Sequence, residues 1–193
     1  MPNLALAIPA TGEIIDVRDG IKYKYLVIGK QTWMADNLKF KIGGSKCLIA
    51  DENDCDKCGR YYNYEEAIKA CPAGWHLPND DEWIDLEIEV GMNESEASKE
   101  GWRGTKPGQA PELLRGGKTG LDLPMCGYLL HMSTDSLMLK EKHLDGYKVD
   151  GYYWTSTESG IFAYYRQFSS RFSINRGRAG KNRGFPIRCI KDE

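Results

Sequence analysis

No apolar run in this chain approaches the ~20 residues that a membrane-spanning helix needs, so no membrane insertion is expected. The apolar opening from Leu4 to Ala10 is short and lacks a basic flank, which is not the make-up of a secretory signal. A leader removed ahead of Met1, or exit by another route such as inside a virion, is the expectation. Histidine is scarce: His76, His131 and His143 are the three, and they show no ligand spacing. Gly-rich phosphate loops, H-E-x-x-H and G-x-S-x-G are all missing. Those gaps argue against the commonest nucleotide, zinc-protease and serine-hydrolase chemistries, and no catalytic residue, cofactor or metal is expected. Internal repeats and low-complexity tracts are missing too.

Acidic residues are missing from one long stretch. Between Ser159 and Lys191 there are eight Lys or Arg residues and no Asp or Glu, so a formal net charge of −2 leaves −10 for the rest of the chain. A basic end admits nucleic acid or an acidic partner, or is a solvated face. An opposite cluster, Asp51, Glu52, Asn53, Asp54 and Asp56, offers oxygens to a hard cation such as calcium. It lacks the Gly and terminal Glu spacing of an EF-hand and reads better as a solvated loop.

Six cysteines are present, at 47, 55, 58, 71, 126 and 189. An even count points to disulfides in an oxidising compartment, with fifteen pairings open. The rival is a zinc site on Cys47, Cys55 and Cys58, since Cys55-Asp-Lys-Cys58 has C-x-x-C spacing. No second C-x-x-C follows it.

At 193 residues the chain suits one domain, read as 13–193 after an extension over 1–12. Residues 13–40 read as strands: Tyr23, Tyr25 and Val27 alternate with Lys22, Lys24 and Leu26 beyond an Asp19-Gly20 hairpin turn. Tyr64–Cys71 and Asp80–Val90 read as the two main helices, the second ending at Gly91. A short third turn is expected over Glu94–Lys99, loop over 100–124, and a strand within Tyr128–Leu139. Asp150–Thr155 reads as a strand entering the core. Helices followed by many short strands make an α+β pattern.

The organising stretch is Cys71-Pro-Ala-Gly-Trp-His-Leu-Pro-Asn-Asp-Asp-Glu-Trp83. Pro72 and Gly74 force turns, and Trp75 and Leu77 anchor the loop. Asn79 or Asp80 caps the helix carrying Trp83 and Leu86, and its acidic first turn suits the helix dipole. Trp75, Trp83 and Leu86 read as core, and His76 as a hydrogen-bonded loop residue.

Cys-Pro-Ala-Gly-Trp-His-Leu-Pro closely resembles the signature of the Fibrobacter succinogenes major paralogous domain. Further matches follow in order. They include Val17-Arg18-Asp19-Gly20, Gly29-Lys30-Gln31-Thr32-Trp33-Met34-Ala35-Asp36-Asn37-Leu38 and Gly59-Arg60-Tyr61-Tyr62-Asn63-Tyr64. Tyr153-Trp154-Thr155-Ser156-Thr157-Glu158, Ala163-Tyr164-Tyr165-Arg166 and Gly184-Phe185-Pro186-Ile187-Arg188-Cys189 complete the set. The resemblance spans roughly residues 16–192 and is thinnest over 90–150. It implies a disulfide-stapled, C-type-lectin-like fold with short, mostly antiparallel strands. It also implies Cys71–Cys189 and Cys47–Cys55 bridges, which leaves Cys58 and Cys126 for each other. Formylglycine-generating enzymes share that fold and use reactive cysteines; with all six bridged, no thiol would remain. The Glu-Pro-Asn and Gln-Pro-Asp sugar motifs of calcium-dependent lectins are missing.

The C-terminal stretch interleaves aromatic, basic and small polar residues, the types that build adaptable binding surfaces. Ser159, Ile161, Tyr164, Tyr165, Arg166, Ser169, Arg171, Ser173, Asn175, Arg176, Arg178, Asn182 and Arg183 are the candidate ligand-binding residues. From Arg171 to Asn175 the period is two, which places Phe172 and Ile174 inward, with Trp33, Trp75, Trp83 and Trp154, and Arg171, Ser173 and Asn175 outward. This layout resembles the variable proteins of diversity-generating retroelements, whose adenine-rich codons yield Asn, Tyr, Ser and Arg. Gln167 and Lys181 fall outside that codon set and would be fixed. The resemblance implies a non-catalytic binder of a protein or glycan, outside the cell, on a cell surface or on a virion. A cell-surface or adhesin-type domain with a fixed ligand is the alternative. Nucleic acid comes third, because disulfides place the chain where such partners are uncommon.

Overall fold

A computed structural model of the chain describes residues 10–47, 55–56, 58–106, 109–132 and 144–193. The acidic cluster 51–54 and His143 lie outside them. The architecture is mixed α+β: two sheets, four short helices among the described residues, and three disulfides.

The first sheet begins with a hairpin of β1 (Thr11–Ile15) and β2 (Lys22–Ile28), so β1 starts two residues inside the stretch read as an extension. Gly20 closes the turn at φ +77°, which only glycine adopts without strain. Buried Asp16 takes the Arg18 guanidinium at 2.6 Å, and Arg18 reaches the Ala70 carbonyl at 2.7 Å, pinning the hairpin to the end of the first helix. β3 (Gln31–Met34), β4 (Trp75–His76) and β11 (Ile190–Lys191) complete the order β1-β2-β3-β11-β4. The simple alternation expected in β2 slips. Tyr23 faces one core cluster while Leu26 and Ile28 face the other, because packed layers cover both sides of this sheet's inner end.

Helices α1 (Tyr64–Ala70) and α2 (Asp80–Glu89) form where expected, and their starts share one device. Asn63 and Asn79 each accept a bond from the backbone three residues on, while Glu66 and Glu82 reach back to the cap's own N–H, a reciprocal box that satisfies two orphan donors. α3 (Glu94–Ala97) occupies the expected short turn. The stretch 100–124, read as loop, holds β5 (Gly101–Arg103) and α4 (Ala110–Leu113). Both are too short to show a period, and β5 exists only through its pairing with a distant strand.

The second sheet runs β5-β10-β9-β8-β6-β7, with β6 (Cys126–Leu129), β7 (Leu144–Tyr147), β8 (Asp150–Ser159), β9 (Phe162–Ser169) and β10 (Ser173–Gly180). Only β6 and β8 run parallel. Trp83 of α2 joins the sheets, 4.8 Å from the Trp33 ring and 5.8 Å from Phe168. Trp154, Phe185 and Tyr64 build a second cluster under α1. Trp75 is only half-buried, against Tyr25. Phe172 corrects the expected core: it is 54% exposed, at φ +59°, because Ser169–Phe172 form the turn between β9 and β10 and the strand starts one residue later.

The cysteines pair as Cys47–Cys55, Cys58–Cys126 and Cys71–Cys189, which removes the zinc alternative. The last closes 118 residues and ties the C-cap of α1 to the residue that leads into β11, which lies between β3 and β4 in the first sheet. Three disulfides in a chain this small suit an oxidising, extracellular setting. No helix among the described residues is long and apolar enough to cross a membrane.

Candidate binding face

The candidate residues ride mainly on β9 and β10, whose register sets what each side chain can do. Phe168 lies opposite Ile174, Arg166 opposite Arg176 and Tyr164 opposite Arg178, so these six share one face of the sheet. Ser169–Ser173, Gln167–Asn175 and Tyr165–Gly177 pair on the other.

The first face lies on α2. Arg166, a candidate ligand-binding residue, is fully buried and so is not available to a ligand. Its Nη1 meets Asp80 at 2.5 Å and its Nε meets Glu87 at 2.7 Å. Arg176 shares Asp80 at 2.5 Å, and Arg103 of β5 shares Glu87 at 2.5 Å. Burial pushes the Asp80 carboxyl up, but Arg176 and Arg166 outweigh it and hold the group below the usual carboxylate range. Burial likewise pulls Arg103 down to about 10 against the opposing effect of Glu87. Three guanidiniums and two carboxylates therefore form a closed structural network. A signal for it was present: Asp80 and Glu87 are two helical turns apart on the stripe that carries Trp83, so acids stood on the apolar face of α2.

Past the end of α2 this face opens. Tyr164 donates its hydroxyl to Glu100 at 2.9 Å, Arg178 reaches the same carboxylate at 3.0 Å, and Arg176 stacks 4.8 Å over the Tyr164 ring. Ser159 lies 3.5 Å from Arg178, and Ile161 stands 79% exposed at the β8–β9 turn. Arg171 is exposed at the opposite end of the strands, about 23 Å away by strand rise. The thirteen candidates therefore do not converge on one spot. Ser169 is buried, and its Oγ accepts the Arg171 N–H at 3.2 Å, which serves the turn.

Residues 26–191 match the family model of the Fibrobacter succinogenes major domain. The chain belongs to that family. No curated protein and no solved structure matches it. The family's span takes in the second sheet and every candidate residue, and leaves out β1 and the start of β2.

The second face of the sheet is richer than the sequence implied. Trp102 of β5, 53% exposed, lies opposite Asn175; Asn175 lies opposite Gln167, and Gln167 opposite Tyr152. Asn175 Nδ2 donates to Gln167 Oε1 at 3.1 Å. Tyr165 is half-buried, 5.8 Å from Tyr152 and 5.4 Å from Phe185, and its ring lies across Gly177, where an added Cβ would come within 2.9 Å of its hydroxyl. Burial raises its phenol pKa, opposed by Arg183 and Asn175. Arg183 stacks 5.4 Å over Tyr128, which is 4.7 Å from Tyr152. Trp102, Tyr128 and Tyr152 had no flag in the sequence and Gln167 was read only as a fixed position, because cross-strand register sets Trp102, Gln167 and Tyr152 in one row with Asn175 and ring packing adds Tyr128. Asn182 stands apart, bonded to His131 at 3.2 Å beside a cleft of about 550 Å³ that Glu65, Glu66 and Lys181 also line.

Proposed function

We propose that this chain is a non-catalytic ligand-binding protein. Its C-terminal segment, 159–183, is a binding surface carried on a C-type-lectin-like scaffold and diversified as in the variable proteins of diversity-generating retroelements. What supports this most is the division of labour along β9 and β10. Side chains that hold the sheet to α2, such as Phe168, Ile174 and Arg166, are buried, whereas Ile161, Arg171, Arg178 and Asn182 are exposed and free of core packing. A scaffold that keeps its packing residues apart from its displayed ones tolerates change at the latter. The pairing of all six cysteines agrees with a role that needs no reactive thiol. The ligand is a protein or glycan met outside the cell, at a cell surface or on a virion.

The test is the DNA around the gene. The expected finding is a near-identical repeat of the segment coding for 159–189, differing only at adenines and lying beside a reverse transcriptase gene. Its absence would leave a cell-surface or adhesin-type domain with one fixed ligand.

A further inference from the structure

The basic character of the C-terminal segment is mostly taken up by groups of the protein itself, in the interior and at the surface. Arg166 and Arg176 pair with Asp80, Arg178 with Glu100, and Lys181 with Glu158 at 2.9 Å. Arg188 is buried on the Met34 and Leu121 carbonyls and on Asn37. Arg183 differs. It is half-buried, its Nη1 is shut off from solvent with no hydrogen-bond partner, and no acid among the described residues pairs with it. A buried guanidinium nitrogen left without a partner is costly and needs a reason.

Nη1 itself is closed to a ligand as it is to water, so only the exposed part of this half-buried side chain can take one. Arg183 lies at the end of an aromatic strip, Tyr128–Tyr152–Tyr165, with the Asn175–Gln167 amide pair beside it and Trp102 beyond. Three strand gaps separate Tyr152 from Trp102, about 14 Å, which exceeds a single sugar ring. Flat π faces accept the C–H-rich faces of sugar rings, and the Asn175 amide, fixed by its bond to buried Gln167, offers polar groups to a neighbouring hydroxyl. A planar guanidinium held beside them is complementary to a carboxylate.

We infer that this sheet face, on which Trp102 is exposed and Asn175, Tyr152 and Tyr165 are half-buried, binds an acidic oligosaccharide. A carboxylate-bearing sugar lies against Arg183 and the tyrosines, its neighbours cross Asn175, which the buried Gln167 holds in place, and the chain ends on Trp102. The inference deepens the binding role proposed above by naming the ligand class, and it adds Trp102, Tyr128, Tyr152 and Gln167 from outside the displayed set. Asp150, opposite Ser169 on the same face, marks the side from which a second carboxylate is repelled.

The test is calorimetric titration of the intact protein with tetragalacturonate, with the same tetramer methyl-esterified at every carboxylate, and with tetraglutamate. The free acid is expected to bind at least tenfold more tightly than its ester, and tetraglutamate not measurably. Arg183→Gln should remove the preference for the acid, Arg183→Lys should retain part of it, and Trp102→Ala should weaken acid and ester by the same factor of three or more. Equal binding of acid and ester, tighter binding of tetraglutamate, no binding of the acid, or an unchanged preference in Arg183→Gln would each overturn the inference. If Arg183→Gln does not fold, the acid-to-ester ratio of the wild-type protein and of Arg183→Lys decides. None of these outcomes bears on the adenine-marked repeat, so the display reading stands or falls separately.

Discussion

Arg166 and Arg171 are five residues apart on one basic segment, yet they belong to different parts of the molecule. Arg166 is sealed between α2 and the sheet on two carboxylates; Arg171 stands in water at a turn. A guanidinium in the interior needs its acids, because a buried charge without a partner costs far more than the pair gains. One at the turn needs nothing and contributes little to folding. Charge type thus says less about role than which face of the sheet a helix covers.

The largest test of that contrast is Arg166→Ala, which strands Asp80 and Glu87. Unfolding in urea should show a loss of about 3–5 kcal/mol, or no folded protein; a loss below about 1 kcal/mol would return Arg166 to the surface group. Replacing Cys71 and Cys189 together by Ala should cost about 2–5 kcal/mol by the same measurement, since a 118-residue separation is released in the unfolded chain. Tyr165→Ala sharpens the contrast on the open face. Its contacts with Tyr152 and Phe185 predict a loss of about 2 kcal/mol along with any loss of binding.

His76 supplies a smaller effect. It sits between Glu82 of α2 at 2.8 Å and Asp192, just past β11, at 2.6 Å. Burial lowers its pKa, but the bonds that the protonated ring donates to Asp192 and Glu82 outweigh it and raise the folded value above 6.5. The added stability is therefore complete below the unfolded pKa and is lost as pH rises through the folded one. Solvent exposure keeps it under about 1 kcal/mol. Thermal melts against pH should show this decline, and His76→Gln should flatten it. Arg171→Ala closes the series: its stability should stay within about 0.5 kcal/mol of the parent.

Much of the scaffold was legible because it is local. Asn63 and Asn79 with Glu66 and Glu82 three residues on, Gly20 in its hairpin, and Trp83 and Leu86 on one helical stripe all act within a few residues, and the helices and the first hairpin form where those signals stand. β5 and α4 were not legible, since a three-residue strand and a four-residue helix carry no period of their own. Phe172 was misplaced because alternation predicts a face only inside a strand, and here the turn runs through Phe172, so that β10 begins only at Ser173.

By itself, then, the sequence determined the family, the helix starts, the disulfide-stapled α+β class and the basic, aromatic make-up of the C-terminal segment. Tertiary structure alone decided which of those residues remain available. α2 placed Asp80 and Glu87 beneath one face of the sheet and took Arg166 and Arg176 into the interior. Strand register set Trp102, Gln167 and Tyr152 beside Asn175 on the other. The physical reason is that a strand's period assigns side chains to two faces without saying which face is covered. That depends on contacts between residues some eighty positions apart, such as Arg166 with Asp80 and Glu87.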